Sequence, residues 1–388
     1  MTEPFEMYQA RFIRDGLAEP ADVLMGVCRE DVHWSKDSPD IAVLEPLFDR
    51  LDIHCLVWIR PSEPYRSIIA YLSADSDGTI YPKDMETRLF LQDLPVAKGM
   101  DTDELAGLLK QRKTAIVPEA GLIATGRESL KQAFVTISSA CFACFIHFFS
   151  AFRTAQKNRG ITPADWQRLE HVGNMITPPP LFDGELAKGP FSSEADILPA
   201  ICEAGKQVVD LGLVDSFFGN VSYHADDMLY ISETGTFLDD LDGVIARCPI
   251  DDPEKTTGKA SSELPAHLEI IRRTGSRAIL HGHPRFSVIL SMDCDVEDCP
   301  YRGQCHRYCP YDRYACKDIP IVSGEVGGGA YGLCHTVPKA ICRGPGVIVY
   351  GHGVFTCAET DFNEALLKLI DIERRCCIEY FNAMGMAK

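Results

Sequence analysis

Short apolar runs bounded by glycine, proline or polar residues recur through the second half of the chain. Ala278-Ile279-Leu280-His281-Gly282-His283-Pro284 reads as a buried strand ending in two histidines. Residues 346–350 form a second such run, leading into Gly351-His352-Gly353. Residues i and i+2 of a strand share a face, so His281 and His283 leave the sheet in one direction. Pro284 stops that strand and can open a helix. Ser192 and Ser193 precede a helical pattern carrying Ile197, Ile201, Ala204, Val208 and Leu211. Strand-like runs follow at 217–222 and 228–231, with helices expected near 265–273, from Pro284, and from about Asp361. Strands and helices mixed in this order predict a sheet covered by helices, the α/β class.

One helix-like stretch differs from the rest. From Ala133 to Phe152 there is no Asp, Glu, Lys or Arg. That length could just span a bilayer. Thr136, Ser138, Ser139 and His147 dilute it, and no basic loop flags an orientation. A helix apolar on all sides is expected to be buried between domains or subunits, with no membrane partner.

The punctuation of the pattern divides the chain. Pro178-Pro179-Pro180, then Gly184 and Gly189-Pro190, read as a stiff linker over 178–190, between domains at 1–177 and 191–388. A chain of 388 residues is long enough for two such cores. The two halves echo one another. Residues 114–149 lie on 346–381 without a gap, with identities at Ile116/Ile348, Val117/Val349, Gly121/Gly353, Ala133/Ala365, Cys144/Cys376, Ile146/Ile378 and Phe149/Phe381. Pro64-Tyr65-Arg66-Ser67-Ile68-Ile69 lies on Pro284-Arg285-Phe286-Ser287-Val288-Ile289. This alignment sets His281, His283 and His352 opposite Pro61, Glu63 and Ala120. The first half is then a degenerate copy that has lost the histidines, and its charge-free helix matches the last helix of the second.

Composition narrows the partners. The formal net charge of -18 repels nucleic acid and anionic membrane, so neither is expected as a partner. The 16 cysteines, without a secretory signal pattern, suit a reducing, cytoplasmic setting. Three neutral imidazoles with an open fourth position are what a catalytic zinc ion uses. The plainer reading makes these histidines satisfied polar groups at strand ends. Two strand-end sites with flanking glycines favour the metal.

Around the histidines stand Gly219-Asn220-Val221-Ser222, Ile231-Ser232-Glu233-Thr234-Gly235-Thr236 and Ala260-Ser261-Ser262-Glu263. With His281-Gly282-His283-Pro284 and Gly351-His352-Gly353 they occur in an order that resembles the class II aldolase/adducin family, over about residues 195–384. The family includes L-fuculose-phosphate aldolase, rhamnulose-phosphate aldolase and ribulose-phosphate 4-epimerase. The resemblance implies a three-layer α/β/α domain, assembled as a homo-oligomer, usually a tetramer, with sites between subunits. It implies that His281, His283 and His352 bind Zn2+ or another divalent cation (Mn2+, Co2+ or Fe2+), with Glu263 as catalytic acid/base. Asn220, Thr234, Gly235, Ser261 and Ser262 match positions that cradle a substrate phosphate in that family.

The chemistry agrees independently. Breaking a carbon–carbon bond beside a carbonyl leaves an enediolate, whose oxygens need a nearby positive charge. A carboxylate must move protons, and Glu263 follows two hydroxyl residues that can orient it. The rival reading makes Glu263 a helix-capping carboxylate. The expected activity is that of a divalent-metal aldolase, a lyase acting on a small phosphorylated ketose. A 4-epimerase or dehydratase on the same scaffold, and a non-enzymatic adducin-like binding module, are the alternatives.

An insertion at 294–316 departs from the family pattern. It places Cys294, Cys299, Cys305, Cys309 and Cys316 close together, with His306 among them. Cys299, Cys305, Cys309 and Cys316 would supply four thiolates for a structural zinc or a [4Fe-4S] cluster. The spacing does not choose between these, and disulfides or free thiols are the alternatives. The loop leaves the helix after the metal-binding strand, so it could overhang the site.

Overall fold

The computed structural model describes residues 5–158, 160–296 and 298–388. It divides into two compact units, Met1–Ile176 and Thr177–Lys388.

The first unit begins with helix α1 (Phe5–Arg14) and strands β1 (Val23–Cys28) and β2 (Val32–Trp34). Short helices α2 (Ile41–Leu44) and α3 (Pro46–Arg50) lead to β3 (Cys55–Ile59) and α4 (Tyr65–Asp75). A small ribbon, β4 (Thr79–Ile80) with β5 (Leu94–Pro95), flanks α5 (Met85–Leu91). Helix α6 (Thr102–Leu109), hairpin β6 (Thr114–Val117) and β7 (Gly121–Gly126), then α7 (Leu130–Asn158) and α8 (Pro163–Asn174) complete it. Five strands form one antiparallel sheet in the order β2-β1-β3-β7-β6.

The charge-free stretch lies inside α7, a 29-residue helix. By length and hydropathy it could cross a membrane, but 89% of its most apolar window is buried. Its Phe145, Phe148 and Phe149 meet Tyr65 and Tyr71 of α4 and one another. Aromatic contacts of this kind, with the area they remove from water, account for the all-round apolar composition.

The second unit carries α9 (Glu194–Asp210), whose N-cap Ser193 accepts the Asp196 N–H as its sequence suggested. The sheet then builds from β8 (Asn220–Ala225), β9 (Met228–Ser232) and β10 (Ile245–Pro249). After α10 (Leu264–Thr274), β11 (Ala278–Gly282) and α11 (Arg285–Met292) come β12 (Arg313–Ala315) and β13 (Ile319–Val322). Helix α12 (Val337–Ala340), β14 (Val347–Val349), β15 (Val354–Ala358) and α13 (Phe362–Ala383) finish the chain. The eight strands lie in the order β10-β9-β8-β11-β15-β14-β13-β12, antiparallel except for β13 with β14. Helices α10 and α12 pack with Leu229, Ile279, Val347, Val349 and Phe355 in one cluster. Helices α9, α11 and α13 contact the sheet as well, α13 lying along β11 and β15. This is a three-layer α/β/α arrangement.

Two strand boundaries differ from the sequence reading. The run expected at 217–222 becomes a strand only from Asn220, because Gly219 has φ +84° and breaks the extended backbone. The run that delivers His352 does not end there. It turns at Gly351 (φ +60°) into the hairpin β14–β15, with His352 at the turn.

The strand order of the first sheet, β2-β1-β3-β7-β6, matches β9-β8-β11-β15-β14 in the second, pair for pair antiparallel. Register refines the sequence alignment. Trp58 lies opposite Ile123, and His281 opposite Phe355. The hairpin match that sets Ile123 on Phe355 therefore sets Trp58 on His281 and Arg60 on His283, with Ala120 on His352. The sequence alignment had placed Pro61 and Glu63 there. It was anchored on α4 and α11, and the connection from β3 to α4 is longer than that from β11 to α11.

Candidate metal centre

Three backbone features bring the histidines together. His281 is the penultimate residue of β11, and His283 follows that strand, its N–H held by the Leu213 carbonyl at 2.9 Å. His352 sits in the β14–β15 turn, closed by Val349 N–H to Gly353 O at 2.7 Å. Gly353 lets that turn close on the strand. A Cβ there would lie 2.4 Å from the Gly282 carbonyl oxygen and 2.8 Å from His281 Cε1. All three histidines are buried.

The Nε2 atoms converge. His281 Nε2 is 2.9 Å from His283 Nε2 and 3.2 Å from His352 Nε2. Nitrogens bound tetrahedrally at about 2.0–2.1 Å to zinc stand about 3.3 Å apart, so these separations have the right scale. His281 Nδ1–H donates to the Val354 carbonyl at 3.0 Å, which leaves Nε2 as the lone-pair nitrogen. Its ring lies flat on Phe355, with centroids 4.0 Å apart, and His283 stacks on Phe218 at 5.5 Å. Burial lowers the His281 pKa to about 4 and drives His283 well below its ordinary value, so both rings are neutral near pH 7.

Glu263 completes the group. Its carboxylate reaches His281 Nε2 and His352 Nε2, each at 3.2 Å. Burial raises its pKa, and the Asn220 amide N–H donated to Oε2 works against that. Although Glu263 occupies the N-cap of α10, its side chain makes no capping hydrogen bond. Its buried Oε1 has no hydrogen-bond donor. An unsatisfied carboxylate oxygen beside converging imidazole lone pairs fits a divalent cation, which neutralises the charge and uses the lone pairs. Among the described residues, only His281, His283 and His352 gather three ligand atoms within 4.8 Å of one another.

Behind Glu263 lies a chain of polar side chains of which the sequence reading assigned only Asn220, and that to a substrate phosphate. Asn220 Nδ2 donates to Glu263 Oε2 at 2.7 Å, so its Oδ1 is the acceptor. His267 Nε2 lies 2.5 Å from that Oδ1 and must carry the proton. His267 Nδ1 then accepts from the Ser222 hydroxyl at 2.7 Å. Burial lowers the His267 pKa to about 3, which keeps the ring in this one-proton form. The available signal was spacing, since His267 stands four residues after Glu263, one turn along α10.

The other expected positions are divided. Asn220 is buried and turned toward Glu263 and His267 rather than toward solvent. Ser261 is buried, and its Oγ accepts the Glu263 N–H at 3.3 Å. Thr234, Gly235 and Ser262 are exposed. The two segments run side by side, with Thr234 N–H to Lys259 O at 2.8 Å and Ser261 N–H to Ser232 O at 3.1 Å. In the cysteine-rich insertion the Cys316 thiol meets Cys376 of α13.

In the first unit the positions equivalent to His281 and His283 are differently occupied. Trp58 Nε1–H and Arg60 both donate to Asp40 Oδ2, at 3.1 and 2.9 Å. Asp40 is the N-cap of α2, as Glu263 is of α10. A guanidinium and an indole thus meet the carboxylate where imidazoles do so in the second unit.

The family model for the class II aldolase and adducin N-terminal domain matches residues 199–380. Over this stretch, just under half of the chain, the sequence is similar to the class II aldolase/adducin family. Similar solved structures include L-fuculose-1-phosphate aldolase from Thermus thermophilus, 23% identical, covering 50% of this chain and 94% of that one, with TM-score 0.38. A sugar-phosphate aldolase from Thermotoga maritima is 18% identical over 49% of this chain and 96% of its own, at TM-score 0.36. The N-terminal class II aldolase domain of a conserved Thermoplasma acidophilum protein is 15% identical over 50% and 97%, at TM-score 0.34. No curated protein matches the chain.

Proposed function

We propose that the second unit is a divalent-metal-dependent lyase that cleaves or forms a carbon–carbon bond in a small phosphorylated ketose. The observation that carries this reading is the Glu263 carboxylate, 3.2 Å from two of three converging imidazole nitrogens. A divalent cation held by His281, His283 and His352 would act as a Lewis acid toward the substrate's oxygens.

The remaining chemistry falls to side chains. Glu263, ionised and buried, takes the proton from the hydroxyl beside the breaking bond; that bond's electrons pass to the carbonyl and give an enediolate. Returning the proton to the enediolate carbon restores the carboxylate. The Asn220 N–H fixes which carboxylate oxygen is free to move that proton, and His267 fixes Asn220. Phe218 and Phe355 orient two of the imidazoles and keep water from that side. The exposed Thr234, Gly235 and Ser262, with Ser261 beside them, form the proposed phosphate cradle, where small residues admit close backbone approach.

Epimerisation at the carbon that carries the cleaved bond uses the same first step without release of fragments; a dehydratase would instead take the proton from the carbon beside the carbonyl of the intact substrate, and the enediolate so formed would expel the β-hydroxyl with a proton as water. A non-enzymatic binding module would not need an ionised carboxylate buried against three imidazoles. The 16 cysteines without a disulfide suit a reducing, cytoplasmic setting, and a homo-oligomer is the proposed assembly. The first unit is proposed as a metal-free copy, in which Arg60 supplies Asp40 with the positive charge a cation gives Glu263.

The test is incubation of zinc-, manganese- or cobalt-loaded protein with a panel of ketose 1-phosphates. Release of dihydroxyacetone phosphate supports the lyase, and a new ketose phosphate without fragments supports the epimerase. No metal-dependent turnover of any panel member would overturn the reading.

A further inference from the structure

His281 and His283 are held in different ways. The His281 ring is fixed through its Nδ1, which donates to the Val354 carbonyl. The Nδ1 of His283 is buried and has no hydrogen-bond partner among the described residues. A metal-binding imidazole is ordinarily oriented through its second nitrogen. For His283 the Phe218 ring takes that part, stacked on the imidazole at an interplanar angle of 12°. Whatever holds Phe218 therefore decides where His283 points.

Phe218 belongs to the segment from Leu213 to Gly219, which lies against the end of β11 at both of its own ends. The Leu213 carbonyl accepts the His283 N–H at 2.9 Å, and a Cβ on Gly282 would lie 2.7 Å from that oxygen. At the far end, a Cβ on Gly219 would lie 2.6 Å from the His281 carbonyl oxygen. Between these two close approaches the chain turns tightly. Phe218 N–H reaches the Asp215 carbonyl at 3.2 Å, and Ser216 sits in the left-handed region at φ +58°. That conformation is unfavourable for serine and persists only where the surroundings impose it.

The restraint lies one residue earlier. Asp215 is buried, and its Oδ1 accepts a hydrogen bond from Arg285 at 3.2 Å. Arg285 is the first residue of α11, two positions after His283. It is also close enough to Glu373 to act on that carboxyl electrostatically. Glu373 in turn accepts the N–H groups of Phe286 and Ser287.

We infer that Asp215 and Arg285 are positioning residues for His283. Their ion pair clasps the strained turn to the start of α11 and so keeps Phe218 on the imidazole. With either partner gone, the other is left without its counter-charge, the turn relaxes, and Phe218 leaves the ring. The consequence for metal binding rests on the proposed function, whereas the placement of the ring does not.

The test compares full-length wild type with Asp215→Asn, Arg285→Gln, Phe218→Leu and Phe218→Tyr by two readouts. The first is zinc affinity, from titration of chelated protein against a competing chelator. Asp215→Asn, Arg285→Gln and Phe218→Leu should each bind zinc about 10–100-fold more weakly, and Phe218→Tyr, which keeps the aromatic face, within about threefold of wild type. The second is the histidine ring signals in NMR spectra of zinc-free, histidine-labelled protein. The His283 signals, displaced by the Phe218 ring current, should move toward the ordinary imidazole position in Asp215→Asn and Arg285→Gln. Those of His281, which stacks on Phe355, should stay. Combining the two clasp substitutions should add little to either alone, as expected of a pair that acts as a unit. Unmoved His283 signals in either clasp variant, wild-type zinc affinity in both, or equal loss in Phe218→Tyr and Phe218→Leu would each overturn the inference. A wild type that takes no zinc, with the His283 signals still displaced by loss of the clasp, would overturn the metal reading and leave the positioning role standing.

Discussion

Glu263 is where the proposed chemistry is concentrated, and its surroundings set its behaviour. Glu263→Gln keeps the shape and one hydrogen bond but removes the charge. It should lower kcat by about 10²–10⁴-fold while the protein still takes up its divalent ion. Turnover within a few-fold of wild type would show that another group moves the proton. His267 acts at one remove, through Asn220. His267→Leu should lower kcat by roughly 10–100-fold with KM little changed, and His267→Gln, which can still donate to Asn220, should recover part of the loss. Equal kcat in the Leu and Gln variants would make His267 a packing residue only. At this scale the sequence was partly readable. His281, His283, His352 and Glu263 stand in local patterns that imply their chemistry, whereas Ser222 and His267 gain a role only when strand β8 is laid against α10.

Helix α11 is held by its first turn. Phe286 N–H and Ser287 N–H donate to Glu373 of α13 at 2.8 and 2.9 Å, and the Ser287 hydroxyl at 2.7 Å. Burial raises the Glu373 carboxyl from 4.5 to about 7, against the opposing effect of those hydrogen bonds. A folded-state pKa above the unfolded value means that the native state binds the proton more tightly. The contribution of Glu373 to stability is therefore full below about pH 4.5 and declines as pH rises toward 7. Denaturation midpoints measured across this range should fall with pH more steeply in wild type than in Glu373→Gln; equal slopes would contradict the assignment. The turn that presents His352 is a second sensitive element. Gly353→Ala places a methyl group 2.4 Å from the Gly282 carbonyl oxygen and should cost about 1–3 kcal/mol. Chemical denaturation checks this, and an unchanged midpoint would mean that the turn opens freely. The sequence indicated both strands of the His281–His352 pairing only in part. Periodicity marked β11 and β14, but nothing was read for the segment that forms β15. A hairpin whose turn is Tyr350-Gly351-His352-Gly353 looks like a loop until its partner strand is known.

At the scale of the whole molecule, two sheets share one strand order, and only one carries the imidazole group. The echo between halves was legible because hairpin and helix kept a common spacing. The positions opposite the histidines were not, since the longer β3–α4 connection slid the strand relative to the helix. That is why Trp58 and Arg60, with their shared carboxylate Asp40, escaped a reading made from residues alone. The account of the whole chain rests on a divalent ion in the second unit and none at the corresponding place in the first. The most direct test is elemental analysis and zinc titration of full-length wild type beside H281A/H283A/H352A, after chelation and reloading with zinc, manganese or cobalt. The account predicts that the triple variant loses one divalent ion per chain relative to wild type. Equal metal content in the two proteins would contradict it.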